Sequence, residues 1–277
     1  MKPIVILYHK DCFDGFGGAW AAYKKFGKKA DYFGIEHQAK PLKKLKNKEI
    51  YFVDFCYQKK EIMEKLLKEN KKVVVIDHHI SQKETIKISS EYVYSLERSG
   101  SVLAWKYFHP QKPIPKLLRH IEDIDLWKFK LTGTKELMMA LDARDFNFSV
   151  WDKISKDFEN SKKRKKYLEV GKILTKYRQK LINKIASRAD KAEIYNHSAL
   201  IANSPVFQSE IGNALVEKGA ALGIIWSQRN GKRYFSLRSN GKVDVSKIAK
   251  KYGGGGHKAA AGFSMNIKKP LPWKTIK

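Results

Sequence analysis

Cysteine is nearly absent. Only Cys12 and Cys56 occur among 277 residues and neither belongs to a CxxC pair, so neither a disulfide framework nor a cysteine-type zinc site is supported. A reducing cytoplasm is the expected home. No apolar run approaches the ~18–20 residues that span a bilayer, which excludes membrane insertion. The opening Met1-Lys2-Pro3 and the short apolar run to Tyr8 lack the length and cleavage site of an export signal. Solenoid-length repeats, low-complexity tails and Walker-type phosphate loops are missing as well. Acidic side chains are scarce: 28 Asp and Glu face 56 Lys and Arg, for a formal charge of +28. Such a field attracts polyanions such as nucleic acid or nucleotides, although a general enrichment in lysine gives the same count without any partner.

What is present suffices to fold. A hydrophobic share of 43% and an aromatic share of 12% are too high for a disordered chain, and the length suits two compact units. Short apolar runs at 3–8, 49–55 and 72–76 alternate with helix-like stretches at 16–26 and 58–70, which predicts a parallel sheet covered by helices. Within it, Val73-Val74-Val75-Ile76 reads as a central strand buried on both faces. Helices are expected at 100–108 and 116–123. From 151 to 190 a charged stretch carries Val170, Ile173, Leu174, Tyr177, Leu181 and Ile185 near helical spacing and reads as a linking helix. Its basic cluster, Lys162-Lys163-Arg164-Lys165-Lys166, is a solvated face or a nucleic-acid grip. Beyond lie expected strands at 193–202, 220–228 and 232–238, with helices at 207–218 and 243–252. The predicted organisation is α/β: a parallel-sheet domain over 1–150, a linking helix over 151–190, and a smaller α/β domain over 191–277, with ligand in the cleft between the two domains.

Ligand sites of open parallel sheets lie beyond the carboxyl ends of the strands. Three expected strands end in chemistry there. The first runs into His9, Asp11 and Asp14, another into Asp54, and another into Asp77-His78-His79. Each residue alone is commonly a turn former or helix cap. Together, four carboxylates on one rim would repel one another unless divalent cations sat among them. Carboxylates and imidazoles without thiolate favour Mn²⁺ or Mg²⁺, and a set of this size suits two ions about 3.5–4 Å apart, the arrangement of phosphoester hydrolysis. Another carboxylate source is the segment Ile121-Glu122-Asp123-Ile124-Asp125-Leu126-Trp127. Near the other end of the chain, Gly253-Gly254-Gly255-Gly256-His257 can form an anion nest, with Arg238 and Ser239 as further donors to a phosphate.

These motifs resemble the DHH/DHHA1 phosphoesterases, a family that includes single-strand-specific exonucleases, nanoRNases and cyclic-dinucleotide phosphodiesterases. The resemblance covers nearly the whole chain. Asp77-His78-His79 matches the name-giving motif, and Gly253–His257 with the following residues to Phe263 matches the DHHA1 signature. By this resemblance His9, Asp11 and Asp14 would supply metal ligands, Asp54 the bridging carboxylate, His78 a ligand of the second ion, and Asp125 a further carboxylate. Asp125 is preferred over Asp123 because Asp-Leu-Trp resembles the nanoRNase-like segment. Asp77 would orient His78, while His79 would contact phosphate or assist proton transfer. Arg238, Ser239, Gly255, Gly256 and His257 would hold the far end of the substrate. The first motif departs from the family spacing, with Asp11 and Asp14 three apart instead of two. The resemblance implies a two-Mn²⁺ phosphodiesterase, Mg²⁺ being the alternative, acting on short oligonucleotides or linear dinucleotides. Cyclic dinucleotides, 3′-phosphoadenosine 5′-phosphate and non-catalytic binding of longer single strands are the rivals, and a homodimer is open.

Overall fold

Alternation along each strand decides which face of the first sheet it serves. Val73 and Val75 pack with Val5, Leu7, Ile50 and Phe52 on one face, whereas Val74 and Ile76 pack with Ile6, Tyr51 and Val53 on the other. The computed structural model describes residues 1–36 and 39–276 and divides into two units at Leu174/Thr175.

The first unit holds β1 (Ile4–His9), α1 (Phe13–Phe26), β2 (Ala30–Ile35), β3 (Glu49–Val53), α2 (Lys60–Glu69), β4 (Lys72–Asp77), α3 (Lys83–Ile86) and β5 (Glu91–Tyr94). Helices α4 (Gly100–Phe108), α5 (Lys116–Asp125), α6 (Thr134–Asp142) and α7 (Phe148–Glu159) follow. Its five strands run parallel in the order β2-β1-β3-β4-β5. Met63 and Leu66 of α2 cover one face. The other lies under α1, α4, α5, α6 and α7, through residues such as Trp20, Trp105, Leu118, Leu141 and Trp151. Burial on both faces accounts for the unbroken β-branched run of β4.

Where the sequence suggested one linking helix over 151–190, two helices stand. Asn160 separates α7 from α8 (Ser161–Ala186), and α7 buries Trp151, Ile154 and Phe158 in the first core. The boundary between units falls inside α8.

The second unit contains β6 (Asp190–Ile194), β7 (His197–Asn203), α9 (Gln208–Glu217), β8 (Leu222–Arg229), β9 (Lys232–Arg238), α10 (Val245–Lys251), β10 (Gly255–His257), β11 (Ala260–Asn266) and β12 (Lys274–Thr275). These strands form one mixed sheet ordered β10-β11-β9-β8-β7-β6-β12, antiparallel except for the β7–β8 pair. Val245, Ile248 and Ala249 of α10 close one face, and Ile211 and Leu215 of α9 help close the other.

Candidate metal centre

The chain leaves β1 toward β2 on one side, while β3 and β4 lie on the other, so the sheet switches direction between β1 and β3. In open parallel sheets ligands bind beyond the carboxyl ends of the strands at such a point. His9 ends β1, Asp54 follows β3, and Asp77, His78 and His79 end β4 or follow it. Asp54 is held in the left-handed region with φ 59°, its amide donating to Ile76 O at 2.9 Å. Few non-glycine residues accept that backbone, and such strain concentrates where geometry serves function.

The Asp54 carboxylate is 2% exposed and its oxygens face different groups. Oδ2 lies 3.4 Å from His9 Nδ1 and 3.7 Å from Cys12 Sγ. Oδ1 lies 3.2 Å from His78 Nε2 and 3.8 Å from His79 Nδ1. Asp54 Oδ1 and His78 Nε2 are both buried without a hydrogen-bond partner. Within about hydrogen-bond reach of each other yet unbonded, they have the disposition of two donors aimed at a shared cation.

Asp14, on the first turn of α1, is also buried. Its Oδ2 accepts from Gly100 N at 2.5 Å and its Oδ1 from Ser101 N at 3.0 Å, so the N-terminus of α4 grips the carboxylate. Gly100 must be glycine: a Cβ there would stand 2.7 Å from Asp54 Cβ and 3.0 Å from Asp14 Oδ2. Glu122 fixes this corner by accepting from Ser99 N at 3.2 Å and from Arg98 Nη1 at 3.0 Å. His78 Nε2 is 3.7 Å from Asp14 Oδ2 and 3.6 Å from Asp125 Oδ2. Three sets of ligand atoms thus converge within 4.8 Å: His9, Cys12 and Asp54; Asp14, His78 and Asp125; Asp54, Asp77, His78 and His79.

Protonation follows from this crowding. Burial, then the Asp54 and Asp125 carboxylates, push Asp14 well above the ordinary carboxyl range. Burial likewise drives Asp125 up to about 6. Burial also opposes charge on Asp54, but the nearby imidazoles of His78 and His9 hold it down at about 2. For His78, burial is outweighed by the Asp54, Asp14 and Asp125 carboxylates around it, and its pKa rises. The carboxylates thus crowd one another so closely that the site resists holding all of them ionised unaided, which together with the unbonded atoms fits a divalent cation bound by carboxylate and imidazole.

Not every expected ligand joins the group. Asp11 has φ 53° and a side chain 73% exposed beside Lys10 Nζ at 3.8 Å, outside all three sets. The turn that lets α1 start directly against β1 points Asp11 outward. Asp77 also differs from expectation: its Oδ1 takes His79 Nδ1 at 2.7 Å and touches His78 only through the backbone N–H, at 2.7 Å. It therefore orients the ring of His79. Asp123 accepts from Lys130 N, Leu131 N and Thr134 Oγ1, the last at 2.6 Å, and so fixes the turn after α5, leaving Asp125 on the rim. Cys12 and the α4 amides were not anticipated as site neighbours. Burial, with Asp54 beside it, pushes the Cys12 thiol up to about 12. Ser99-Gly100-Ser101 at the start of the expected helix is the sequence signal that could have marked the α4 amides as free donors.

In the second unit, pairing sets His257 opposite Ala260 and Ala260 opposite Arg238, so His257 and Arg238 share one register line across β10, β11 and β9. Arg238 Nη2 donates to Ser209 Oγ at 2.6 Å. Gly255 and Gly256 lie in the edge strand β10, whereas Gly253 and Gly254 donate back to the end of α10, so the expected open nest is reduced to a strand edge. Ser239 corrects a second expectation: its hydroxyl donates to Val243 O at 2.7 Å and accepts from Gly241 N, serving its own turn.

Comparison with known proteins agrees with these elements. Residues 3–127 match the DHH family, N-terminal domain, and residues 206–270 match the DHHA1 domain. The uncharacterized protein R106 of Acanthamoeba polyphaga mimivirus is 33% identical over 299 residues, covering 98% of this chain and 70% of that protein. Oligoribonuclease NrnB of Bacillus subtilis is 25% identical over 216 residues, covering 70% of this chain and 53% of that protein, so the match spans about half of that relative's length. Among solved structures, a pGpG-specific phosphodiesterase from Vibrio cholerae superposes with a TM-score of 0.55 at 14% identity, covering 96% of this chain and 94% of that one. That last likeness is one of fold. Among the described residues no helix is long and apolar enough to cross a membrane.

Proposed function

The chain belongs to the DHH family, with a DHHA1 domain in its second unit, and from that premise we propose that it is a metal-dependent phosphodiesterase releasing mononucleotides from short oligonucleotides or linear dinucleotides. The observation that carries this reading is the two-sided Asp54 carboxylate, each oxygen facing its own histidine. In the proposal His9 and Asp54 hold one ion, while Asp54, Asp14, His78 and Asp125 hold the other. Mn²⁺ suits these donors best and Mg²⁺ is the alternative. Two such ions supply an activated water and neutralise the phosphoryl charge.

The remaining chemistry belongs to the chain. The α4 amides fix Asp14, so that its carboxylate does not reorient when charge develops. Asp77 pins His79 Nδ1 and raises its pKa, which keeps a proton on the ring for delivery from Nε2 to the leaving oxygen. Arg238 and His257, aligned across the second sheet, hold a substrate phosphate by charge-assisted hydrogen bonds, with the backbone of Gly255 and Gly256 beside them. The charge of +28 draws anionic substrates in. Free thiols at both cysteines suit a reducing compartment such as the cytoplasm.

A panel of linear dinucleotides, short oligonucleotides, cyclic dinucleotides and 3′-phosphoadenosine 5′-phosphate, incubated with and without Mn²⁺ and resolved by chromatography, tests the proposal. Mononucleotides from the linear substrates in Mn²⁺ alone are expected. Turnover confined to cyclic substrates would overturn the substrate assignment, and no turnover of any would overturn the enzyme reading.

A further inference from the structure

Cys12 stands two residues before Asp14, at the position preceding α1, with extended backbone at φ −127° and ψ 134°. A residue in that place ordinarily turns its side chain to the helix amides. Cys12 makes no full cap bond, although the Asp14 and Gly15 amides lie close enough to favour its thiolate, and its S–H donates to Asp54 Oδ2 at 3.7 Å. It has no disulfide partner, since Cys56 is also a free thiol and buried. With His9 and Asp54 it completes a set of nitrogen, sulfur and oxygen atoms within 4.8 Å. The acid expected there, Asp11, is exposed and outside the set. An independent sign that this carboxylate faces an ion is its other oxygen, Oδ1, buried without a partner.

We propose that the Cys12 sulfur is a ligand of the ion on the Asp54 Oδ2 side, making that half of the centre a mixed nitrogen, sulfur and oxygen site. The inference rests on the metal-dependent reading above and deepens it. When a divalent ion binds, the S–H proton leaves to solvent as the metal–sulfur bond forms, so binding on this side releases a proton. The two halves then differ in softness. The side with Asp14, His78 and Asp125 offers only oxygen and imidazole and suits Mn²⁺ or Mg²⁺, whereas the side with Cys12 favours thiophilic ions such as Zn²⁺ or Co²⁺.

Titration of the full chain with Co²⁺ reads the contact directly, because only a cobalt–sulfur bond gives an intense near-ultraviolet charge-transfer band. The wild type should develop that band, and Cys12→Ser and Cys12→Asp should bind Co²⁺ without it. By calorimetry the affinity ratio of Zn²⁺ to Mn²⁺ should fall at least about tenfold in Cys12→Ser. Alkylation mapped by mass spectrometry needs no substitution: Zn²⁺ should protect Cys12 in the wild type. Cobalt binding with no band and no protection would overturn the Cys12 assignment while leaving the metal centre standing. If the wild type binds no divalent ion at all, this assignment and the phosphodiesterase proposal fall together.

Discussion

Adding one carbon at Gly100 should do the opposite of what helix propensity dictates. Alanine in place of glycine in a helix ordinarily stabilises by about 0.5–1 kcal/mol. At Gly100 the new Cβ would meet Asp54 Cβ at 2.7 Å, Asp54 Oδ1 at 2.9 Å and Asp14 Oδ2 at 3.0 Å. Carbon–carbon contact settles near 3.5–4.0 Å, so the start of α4 and the Asp54 turn must separate by about 1 Å. That movement stretches the bonds from Gly100 N and Ser101 N to Asp14, which begin at 2.5 and 3.0 Å. Buried hydrogen bonds contribute about 0.5–1.5 kcal/mol each, so losing this pair outweighs the propensity gain and lowers the Tm. A displacement of about 1 Å in a catalytic group costs on the order of 10²-fold in rate, or roughly 2.7 kcal/mol of barrier. Gly100→Ala should therefore melt earlier than wild type and hydrolyse a linear dinucleotide in Mn²⁺ at least about 10²-fold more slowly. Thermal unfolding and initial rates measure both. A variant with a raised Tm and undiminished turnover would refute the reasoning.

Three further outcomes follow from particular residues. Asp125→Asn removes a carboxylate from beside Asp54 and His78, so the metal-free Tm should hold or rise while Mn²⁺ affinity drops at least about tenfold; equal Mn²⁺ affinity in mutant and wild type would contradict this. Asp123→Ala breaks the three bonds that fix the turn after α5 and should cost about 2–4 kcal/mol by denaturant unfolding, and a cost below about 1 kcal/mol would count against that role. His120, which pairs through Nδ1 with Thr134 Oγ1 at 2.8 Å, has its pKa lowered to about 4 by burial against the ordinary 6.5. The unfolded chain therefore binds the extra proton first. This contribution is complete above pH 6.5, is lost as pH falls toward 4, and is worth on the order of 3 kcal/mol. Stability curves at pH 7.5 and 4.5 should show a smaller acid loss in His120→Gln than in wild type, and identical losses would rule His120 out as the cause.

Much of the fold was legible because its central strands are buried on both faces. The runs of β1, β3 and β4 carry little but apolar residues, and the strand-end rule then located His9, Asp54 and His78. Edge strands were less visible. β2 (Ala30–Ile35) and β5 (Glu91–Tyr94) are largely half-buried, and their polar and aromatic residues do not form the apolar runs of a central strand. The helical spacing of 151–190 conceals the break at Asn160, because hydrophobic period says nothing about a one-residue interruption. At the site, strand-end placement and family resemblance promoted Asp11 to a ligand, and only the folded chain, which leaves it exposed beside Lys10, shows that the side chain leaves the group. The grip on Asp14 was invisible for a different reason: its donors are backbone amides of α4, which no side chain announces. Ser239 shows the reverse case, a hydroxyl of suitable chemistry already bonded within its own turn.

The account rests on Asp54 joining two cation sites. Isothermal titration of wild type and Asp54→Asn with Mn²⁺, with bound metal counted by elemental analysis, tests it most directly. The account predicts two ions per wild-type chain and, in the variant, loss of at least one ion together with hydrolysis. Undiminished stoichiometry and affinity in Asp54→Asn, or no Mn²⁺ bound by the wild type, would contradict it.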